Sequence, residues 1–398
     1  MENIKDTIKA KASAYLEQAI QDRRYLHQHP ELSFKEENTA KYISEKLTAY
    51  GIEHQTGLAK TGIVGFIYGK NPEKKVIALR ADMDALPLNE LNSCAYKSEN
   101  EGVMHACGHD AHMANLLGTA RILNEIREHF EGTIKLFFQP SEESFPGGAK
   151  IMIEEGVLEN PKVENVYGQH VYPELEAGKI GIKSGKYMAS TDEVYLTVKG
   201  KGGHGALPNQ NVDPVLIAAH IVVALQQIVS RHADPGMPTV LSFGRIIGEG
   251  RTNIIPDEVK LDGTIRTFDE QWRAEAHKRI TKIAQGIAEG MGGSCEVFID
   301  HGYPFVYNDE QTTAATRSAA VEFLGAENVV DIDYRMTAED FAYFSHAVPS
   351  TFYRLGTRNE EKGITANLHN ANFDIEEKSL ETGMGFMAWL AFCNMTKL

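Results

Sequence analysis

The sequence predicts an α/β fold, in which a mixed sheet has helices on both faces and a smaller α+β domain is inserted into the chain. The length of 398 residues exceeds that of a typical compact domain and favours two. Helical and strand-like segments alternate up to residue 167. Near residue 188 the pattern changes to a β-α-β-β-α-β order, which is typical of a ferredoxin-like sandwich. We therefore assign residues 1–187 and 300–398 to the larger domain and residues 188–299 to the inserted one.

The larger domain is expected to open on two helices, with Gly51 as the C-cap of the second. The periodicity of apolar residues predicts helices at 5–28, 36–50, 111–130, 151–155, 312–324 and 378–393. Short apolar runs predict strands at 62–68, 75–79, 133–138, 163–167 and 351–355. Alternation of this kind indicates a sheet that is covered on both faces.

The inserted domain is predicted to contain a four-stranded sheet and two helices. The strands are expected at 193–198, 239–246, 258–266 and 295–299. The helices are expected at 213–231 and 270–289. Asp213 suits the N-cap of the first helix, and Pro214 suits its first helical position.

Composition excludes several classes of partner. The formal net charge of −15 argues against nucleic acid or an anionic membrane as the main partner. Four cysteines without a CxxC pair indicate free thiols and a cytoplasmic protein. The charged N-terminus lacks the apolar core of a signal peptide. The most apolar stretch, residues 215–229, is shorter than the roughly 20 residues that a membrane span needs, so we expect a packed helix.

Carboxylates and an imidazole follow three of the predicted strands. Asp82 and Asp84, the pair Glu142-Glu143 and His170 each come after an apolar run. Ligands of open α/β sheets bind at the carboxyl ends of strands, so we expect these residues to share a site. Adjacent residues on an extended chain point in opposite directions. One of the two glutamates can therefore bind a metal while the other reaches a water molecule, although an isolated Glu-Glu pair is more often an exposed loop.

The segment His105–His112 has the densest concentration of metal-ligand chemistry. It contains one cysteine and three histidines within eight residues. Thiolate and imidazole suit zinc and related metals. A lone buried cysteine or histidine is usually part of the core, and His369 alone carries no information, but the clustering favours a metal site.

The segment Gly200–Gly205 fits the G-x-G-x-x-G pattern of dinucleotide-binding proteins. That function requires a helix that starts at the glycines and an acidic residue about 20 positions later. Here Pro208 and Pro214 delay the helix, and the later positions fall inside it. A flexible turn that presents His204 is the better interpretation.

Several motifs in a fixed order resemble one enzyme family. They are Tyr25–Phe34, Leu79–Pro87, His105–Asp110, Phe138–Glu143, Gly200–Gly205, Asn253–Pro256 and Gly263–Arg266. Together they resemble the aminoacylase, hippurate hydrolase and indoleacetyl-amino-acid hydrolase branch of the co-catalytic metallopeptidases. The chain departs from the usual pattern at Ser141, where alanine is common, and at Ala371, where proline is usual.

The resemblance implies a site for two divalent metal ions, zinc or manganese first and cobalt or nickel as further possibilities. It implies metal ligands at Cys107, His109, Glu143, His170 and His369, with Cys107 shared between the ions. Glu142 matches the general base, and Asp82 matches a carboxylate that orients a ligand.

The resemblance also assigns roles to the inserted domain, which serves as a lid and as the contact of a homodimer in that family. His204 matches a histidine that stabilises the oxyanion across the dimer interface. Asn253 and Arg266 match residues that contact the substrate, the arginine being suited to a carboxylate.

The implied activity is metal-dependent hydrolysis of the amide bond of small N-acyl amino acids. A metallo-dipeptidase or carboxypeptidase that acts on small peptides is the nearest alternative. A non-catalytic metal- or ligand-binding relative is a remote one, because Glu142 and the full ligand set are present. The sequence leaves open which acyl group and which amino acid are accepted.

Overall fold

A computed structural model describes residues 4–396 of the chain, which fall into two compact units. The first, which we call the sheet unit, comprises the described residues up to Tyr187, then Tyr307–Asp333 and those from Asp340 onwards. The second, the inserted unit, comprises Met188–Val306 and Tyr334–Glu339.

The regular elements of both units are numbered along the chain. The helices are α1 (Ile4–Gln28), α2 (Glu37–Ala49), α3 (His109–Glu125), α4 (Gly148–Glu154), α5 (Pro214–Leu225), α6 (Glu270–Gly290), α7 (Glu310–Leu324), α8 (Ala342–Ala347) and α9 (Ser379–Thr396). The first eight strands are β1 (Glu53–Leu58), β2 (Gly62–Tyr68), β3 (Val76–Asp82), β4 (Thr133–Gln139), β5 (Asn165–Glu176), β6 (Ile180–Ile182), β7 (Gly185–Met188) and β8 (Asp192–Lys199). The remaining strands are β9 (Gly203–His204), β10 (Val240–Ile247), β11 (Ile254–Ile255), β12 (Glu258–Arg266), β13 (Ser294–His301), β14 (Val306–Asn308), β15 (Val329–Asp331) and β16 (Ser350–Arg358).

The sheet unit is built on a mixed sheet of eight strands in the order β1-β2-β4-β3-β5-β16-β6-β15. Adjacent residues of β4 show that both faces of this sheet are covered. Phe138 lies in the main core with residues of α1, α3 and α9, whereas the ring of Phe137 stacks on Phe344 of α8 at 5.6 Å. The predicted α/β class, with a large mixed sheet and helices on both faces, is therefore confirmed.

Strand β5 corrects the sequence-based prediction, which ended it at residue 167. The strand continues to Glu176, so His170 lies inside it rather than after it. Parallel pairing with β16 runs from Val166 to Tyr172 before the register shifts. The backbone ladder therefore extends the strand past the point where the apolar run stops.

Two helices end earlier than their periodicity predicted. Helix α3 stops at Glu125, and a single 3₁₀ turn at Arg127–His129 follows it. Helix α5 stops at Leu225, and a π-helical turn takes the chain from Ile228 to His232. The predicted end of α3 at residue 130 was wrong, whereas the predicted end of α5 at residue 231 falls in the π-helical turn, because tighter or wider helical turns keep nearly the same apolar period.

The inserted unit has an antiparallel sheet in the order β10-β12-β8-β13. Buried and exposed residues alternate along β8, and helices α5 and α6 pack on the buried face. The predicted N-cap of α5 is confirmed, since the Asp213 carboxylate accepts hydrogen bonds from the N–H groups of Val215 and Leu216 at 2.8 and 3.2 Å.

Helix α5 is packed on one side only. Ile217, Ile221 and Leu225 are buried, whereas Val223 is 74% exposed. By length and composition alone, the helical stretch Pro214–His232 is apolar enough to cross a membrane, and 33% of it is buried. The core helix of a soluble protein meets the same criterion.

A buried ion network ties the first helix of the sheet unit to its neighbours. The fully buried Arg23 guanidinium donates to Asp110 at 2.7 Å and to Asp374 at 2.7 Å. His27 also contacts Asp110, with 2.8 Å between Nδ1 and the carboxylate oxygen. The network joins α1, the start of α3 and the segment before α9.

Arg23→Met is expected to lower the free energy of unfolding by about 3–5 kcal/mol, because it removes the guanidinium from the buried Asp110 carboxylate and from the partly exposed Asp374. Arg24→Met is the matched control. Arg24 is 46% exposed at the side chain and pairs with Glu377, so its loss should cost at most about 1 kcal/mol. Urea unfolding of both variants measures the difference. Equal losses for the two variants would show that the buried network does not stabilise the fold.

Candidate metal centre

The candidate site forms where strands of the sheet unit deliver polar side chains to one edge. Strands β3, β4 and β5 are neighbours with parallel pairing, so their carboxyl ends point the same way. Asp82 is the last residue of β3, and Glu142-Glu143 follow β4. His170 stands within β5. The structure thus brings together the strand residues that the sequence predicted to share a site.

Cys107, His109 and His170 form the most buried part of the site. The cysteine Sγ atom lies 3.4 Å from Nε2 of His170. Nδ1 of His170 donates to the carbonyl oxygen of Val171, and Nδ1 of His109 donates to that of Asp84, both at 2.8 Å. These bonds keep a proton on each Nδ1 atom, so Nε2 is the atom through which each histidine can bind a metal.

Gly108 makes this arrangement possible between the cysteine and α3. Its φ of +83° is left-handed, and a Cβ atom there would lie 2.5 Å from Cγ2 of Val171. Glycine therefore allows the chain to turn into the helix while its backbone stays close to β5.

Glu143 and His369 form a second group of potential ligands with Cys107. Nε2 of His369 is 3.3 Å from Oε1 of Glu143, and the histidine side chain is 55% exposed. The backbone N–H of His369 donates to Ala106 at 2.8 Å, which fixes it beside the cysteine loop. The ligand atoms of Cys107, Glu143 and His369 lie within 4.8 Å of one another, as do those of Cys107, His109 and His170. Cys107 is common to both groups, so the geometry accommodates a shared thiolate.

The chemistry of the site fits cations. Nε2 of His109 and Oε1 of Glu143 are buried atoms without a hydrogen-bond partner. Burial and the carboxylates of Glu143, Glu142 and Asp82 raise the pKa of the Cys107 thiol. Burial opposes protonation of His109, but Asp82 and Asp84 raise its pKa to about 10. A divalent metal ion would bind these unpartnered ligand atoms and would neutralise the excess negative charge of the carboxylates around them.

Asp84, which the sequence places at the end of a strand but to which no role was assigned, is part of the site. Its two carboxylate oxygens accept the backbone N–H groups of Glu142 and Glu143 at 2.9 and 3.0 Å. These bonds hold the Glu-Glu pair in place. The sequence places Asp84 two residues after Asp82 at a strand end, but its two bonds to the Glu-Glu backbone were not predicted.

Asp82 contacts His112 and belongs to neither of the two ligand groups that share Cys107. Its Oδ1 atom is 2.5 Å from Nδ1 of His112, and its Oδ2 atom accepts from Arg80 at 2.6 Å. Nε2 of His112 in turn accepts the N–H of Val171, next to His170. The predicted orienting role of Asp82 therefore has a defined route, through His112 to the backbone of β5.

The other predicted site residues lie in the inserted unit. His204 and Asn253 are adjacent, since Gly205 N–H donates to the Asn253 carbonyl oxygen at 2.9 Å. The Nδ1 atom of His204 accepts the N–H of Ala206 at 3.0 Å, which leaves the ring proton on Nε2. Arg266 ends β12, and its Nη1 atom is buried without a hydrogen-bond partner.

Comparison with known proteins places this site in a family. Residues 78–392 match the model of peptidase family M20/M25/M40. The chain belongs to this family. The predicted resemblance to the co-catalytic metallopeptidases is thereby confirmed.

Three relatives illustrate the range of the M20 family. The chain is 44% identical to an N-acyl-L-amino acid amidohydrolase of Geobacillus stearothermophilus over 77% of its length and 82% of the relative. It is 40% identical to thermostable carboxypeptidase 1 of Saccharolobus solfataricus over 94% of both chains. A Bacillus subtilis structure, described as a dinuclear metal-binding peptidase of the M20 family, shares 35% identity and a TM-score of 0.83, covering 97% of this chain and all of that one.

Proposed function

We propose that this M20-family enzyme hydrolyses the amide bond of N-acyl amino acids with the help of two divalent metal ions. The observation that carries the proposal is the pair of ligand groups that share Cys107. The amidohydrolase relative supports the substrate class, and the dinuclear neighbour supports the number of metals.

The ions would be held by Cys107, His109, Glu143, His170 and His369, the residues that line the two groups. When bound, the ions supply Lewis-acid chemistry that polarises the amide carbonyl and lowers the pKa of water. A mixed set of thiolate, imidazole and carboxylate ligands accepts zinc, manganese, cobalt or nickel, and we propose zinc or manganese.

Glu142 is proposed as the general base. Its carboxylate oxygen lies within 4.8 Å of the ligand atoms of His109 and Glu143, and the residue is 6% exposed. It accepts the proton of the attacking water and returns it to the leaving amine. The N–H groups of Glu142 and Glu143 donate hydrogen bonds to the Asp84 carboxylate, which fixes the backbone from which one side chain would act as the base and the other as a ligand.

We propose that the inserted unit is a ferredoxin-like lid that supplies the remaining groups. His204 carries its ring proton on Nε2, so it can donate a hydrogen bond to the oxyanion. The unpartnered Nη1 atom of Arg266 suits the carboxylate of the amino-acid product. Asn253, adjacent to His204, offers a side-chain amide for the acyl group.

We propose a homodimer through the inserted unit. Apolar side chains of α5 and of the edge strand β10 are exposed, namely Val215 (47%), Leu216 (51%), Val223 (74%) and Ile246 (58%). Exposed apolar surface of this kind is typical of protein interfaces. A cytoplasmic location is consistent with four free cysteines, since disulfides form in oxidising compartments.

A carboxypeptidase or dipeptidase is the second candidate, favoured by the carboxypeptidase relative. It would use the same metals and the same base. The two functions differ in whether the substrate has an acylated or a free α-amino group.

Removal of the metals is expected to abolish hydrolysis of N-acetyl-leucine, and about two equivalents of zinc or manganese per chain are expected to restore it. Chelator-treated protein is titrated with metal while the release of leucine is followed. Cys107→Ser is the companion variant, and its restoration should require a large excess of metal. Full activity in the presence of chelator, or complete recovery with one equivalent, would contradict a two-metal site.

A further inference from the structure

The turn that carries the two catalytic-site glutamates has an unusual backbone. Ser141, directly before Glu142, is fully buried and left-handed, with a φ of +51°. A residue other than glycine adopts this conformation at a cost of about 1 kcal/mol or more, so its surroundings must hold it there.

Glu36 is the side chain that holds this turn. The residue has no exposed surface, and its Oε1 atom accepts the N–H of Ser141 at 2.9 Å. The same oxygen accepts the N–H of Phe34 at 3.0 Å, and Oε2 accepts the Thr61 hydroxyl at 2.7 Å. One of these three bonds reaches the turn, and the other two fix the carboxylate in the position from which it does so.

An ordinary helix cap does not explain this carboxylate. Glu36 is the N-cap residue of α2, but its side chain makes no capping bond. Glu31 does that instead, since its carboxylate accepts the N–H groups of Asn38 and Thr39 at 3.2 and 2.9 Å. Burial and the nearby Asp84 raise the pKa of Glu36 to about 7. An ionised carboxylate at this position therefore lowers the free energy of unfolding.

Asp84 completes the support. It accepts the N–H groups of Glu142 and Glu143, and Ser33 donates to it at 2.6 Å. Three consecutive backbone N–H groups, from Ser141 to Glu143, are thus held by two buried carboxylates. The segment just before α2 contains Glu36 itself and Ser33, which donates to Asp84. This segment contains none of the proposed metal ligands.

We propose that Glu36 is a positioning residue for the hydrolytic reaction, which fixes the left-handed turn at Ser141 and so aims the carboxylates of Glu142 and Glu143. This inference rests on the proposed function, because the reaction that Glu36 would support is the proposed amide hydrolysis. Groups that orient metal ligands typically change metal affinity or activity about 10- to 100-fold when they are lost. Displacement of a general base by about 1 Å lowers the reaction rate by a comparable factor.

Glu36→Ala is therefore expected to lower kcat about 10- to 100-fold with little change in KM, and to weaken the binding of the second zinc ion about tenfold. Glu36→Gln is expected to restore both, because the amide oxygen can accept both N–H groups while the amide nitrogen donates to Thr61. Zinc affinity is measured by competition with a chromophoric chelator, and kcat with N-acetyl-leucine or with whichever amide the wild type cleaves.

Glu31→Ala is the matched control, because it removes the actual cap of α2 and should reduce stability without changing kcat or zinc affinity. Wild-type values for both properties in Glu36→Ala, or equal losses in Glu31→Ala, would overturn the proposal. If the wild type released no amino acid while Glu36→Ala still bound zinc more weakly, the proposed function would fail and the positioning role would stand.

Discussion

Glu142→Gln is expected to lower turnover about 1000-fold or more while the protein keeps both metal ions. The amide is nearly isosteric with the carboxylate but cannot accept the proton of the attacking water, and general acid–base catalysis contributes about 100- to 10,000-fold. Glu142 is 6% exposed, so bulk water gives little help to a substitute base. Initial rates with a saturating N-acyl amino acid, together with metal analysis of the same samples, measure the effect.

Glu143→Gln is the informative comparison, because the neighbouring carboxylate is assigned to the metals. This variant should bind less metal, in contrast to Glu142→Gln. The assignment of the base would fail if Glu142→Gln kept more than about a tenth of the wild-type rate, or if it lost metal as Glu143→Gln does.

His204→Ala is expected to lower kcat about 100- to 1000-fold, the usual effect of removing one oxyanion donor. The expectation depends on the Nε2 proton that the bond from Ala206 leaves on the ring. His301→Ala, at another exposed position of the inserted unit, should retain wild-type kcat. Unchanged turnover in His204→Ala would show that this histidine supplies no oxyanion donor.

A mixture of the two inactive variants separates a histidine that acts within one subunit from one that acts across a dimer. In a mixed dimer of Glu142→Gln and His204→Ala, one site would combine an intact Glu142 with an intact His204 only if the histidine crosses the interface. Random exchange of subunits would then restore about a quarter of the wild-type sites. Absence of recovery after verified subunit exchange would place His204 in its own subunit's site.

Sequence patterns predicted the longer helices and the longer buried strands because their apolar periodicity is strong, but not the short helix α8 or the short buried strand β6. Helix α6 was predicted at 270–289 and is found at Glu270–Gly290. Strand β1 was not predicted, since most of its residues are exposed and its position depends on pairing with β2. The predicted end of β5 was wrong because the polar residue Gln169 is satisfied inside the fold by Asn115 and Tyr353.

The sequence could predict which residues form the candidate site. It could not predict the hydrogen bonds that hold those residues in position. Family-like motifs drew attention to the proposed ligands and to Glu142, which the fold brings together around Cys107. Glu36 gave no comparable signal. Its partner Ser141 is 105 positions away, and only the folded chain shows that the two meet. Long-range hydrogen bonds of this kind leave no local pattern in a sequence.

The most direct test of the central claim is the release of free amino acid from matched substrates. Metal-loaded protein is supplied with N-acetyl-leucine, N-benzoyl-glycine and the corresponding dipeptides, each with and without chelator. We expect chelator-sensitive release from the acylated compounds, with kcat/KM at least about tenfold above that for the matched dipeptides. Release from the dipeptides alone would contradict the account and identify a peptidase.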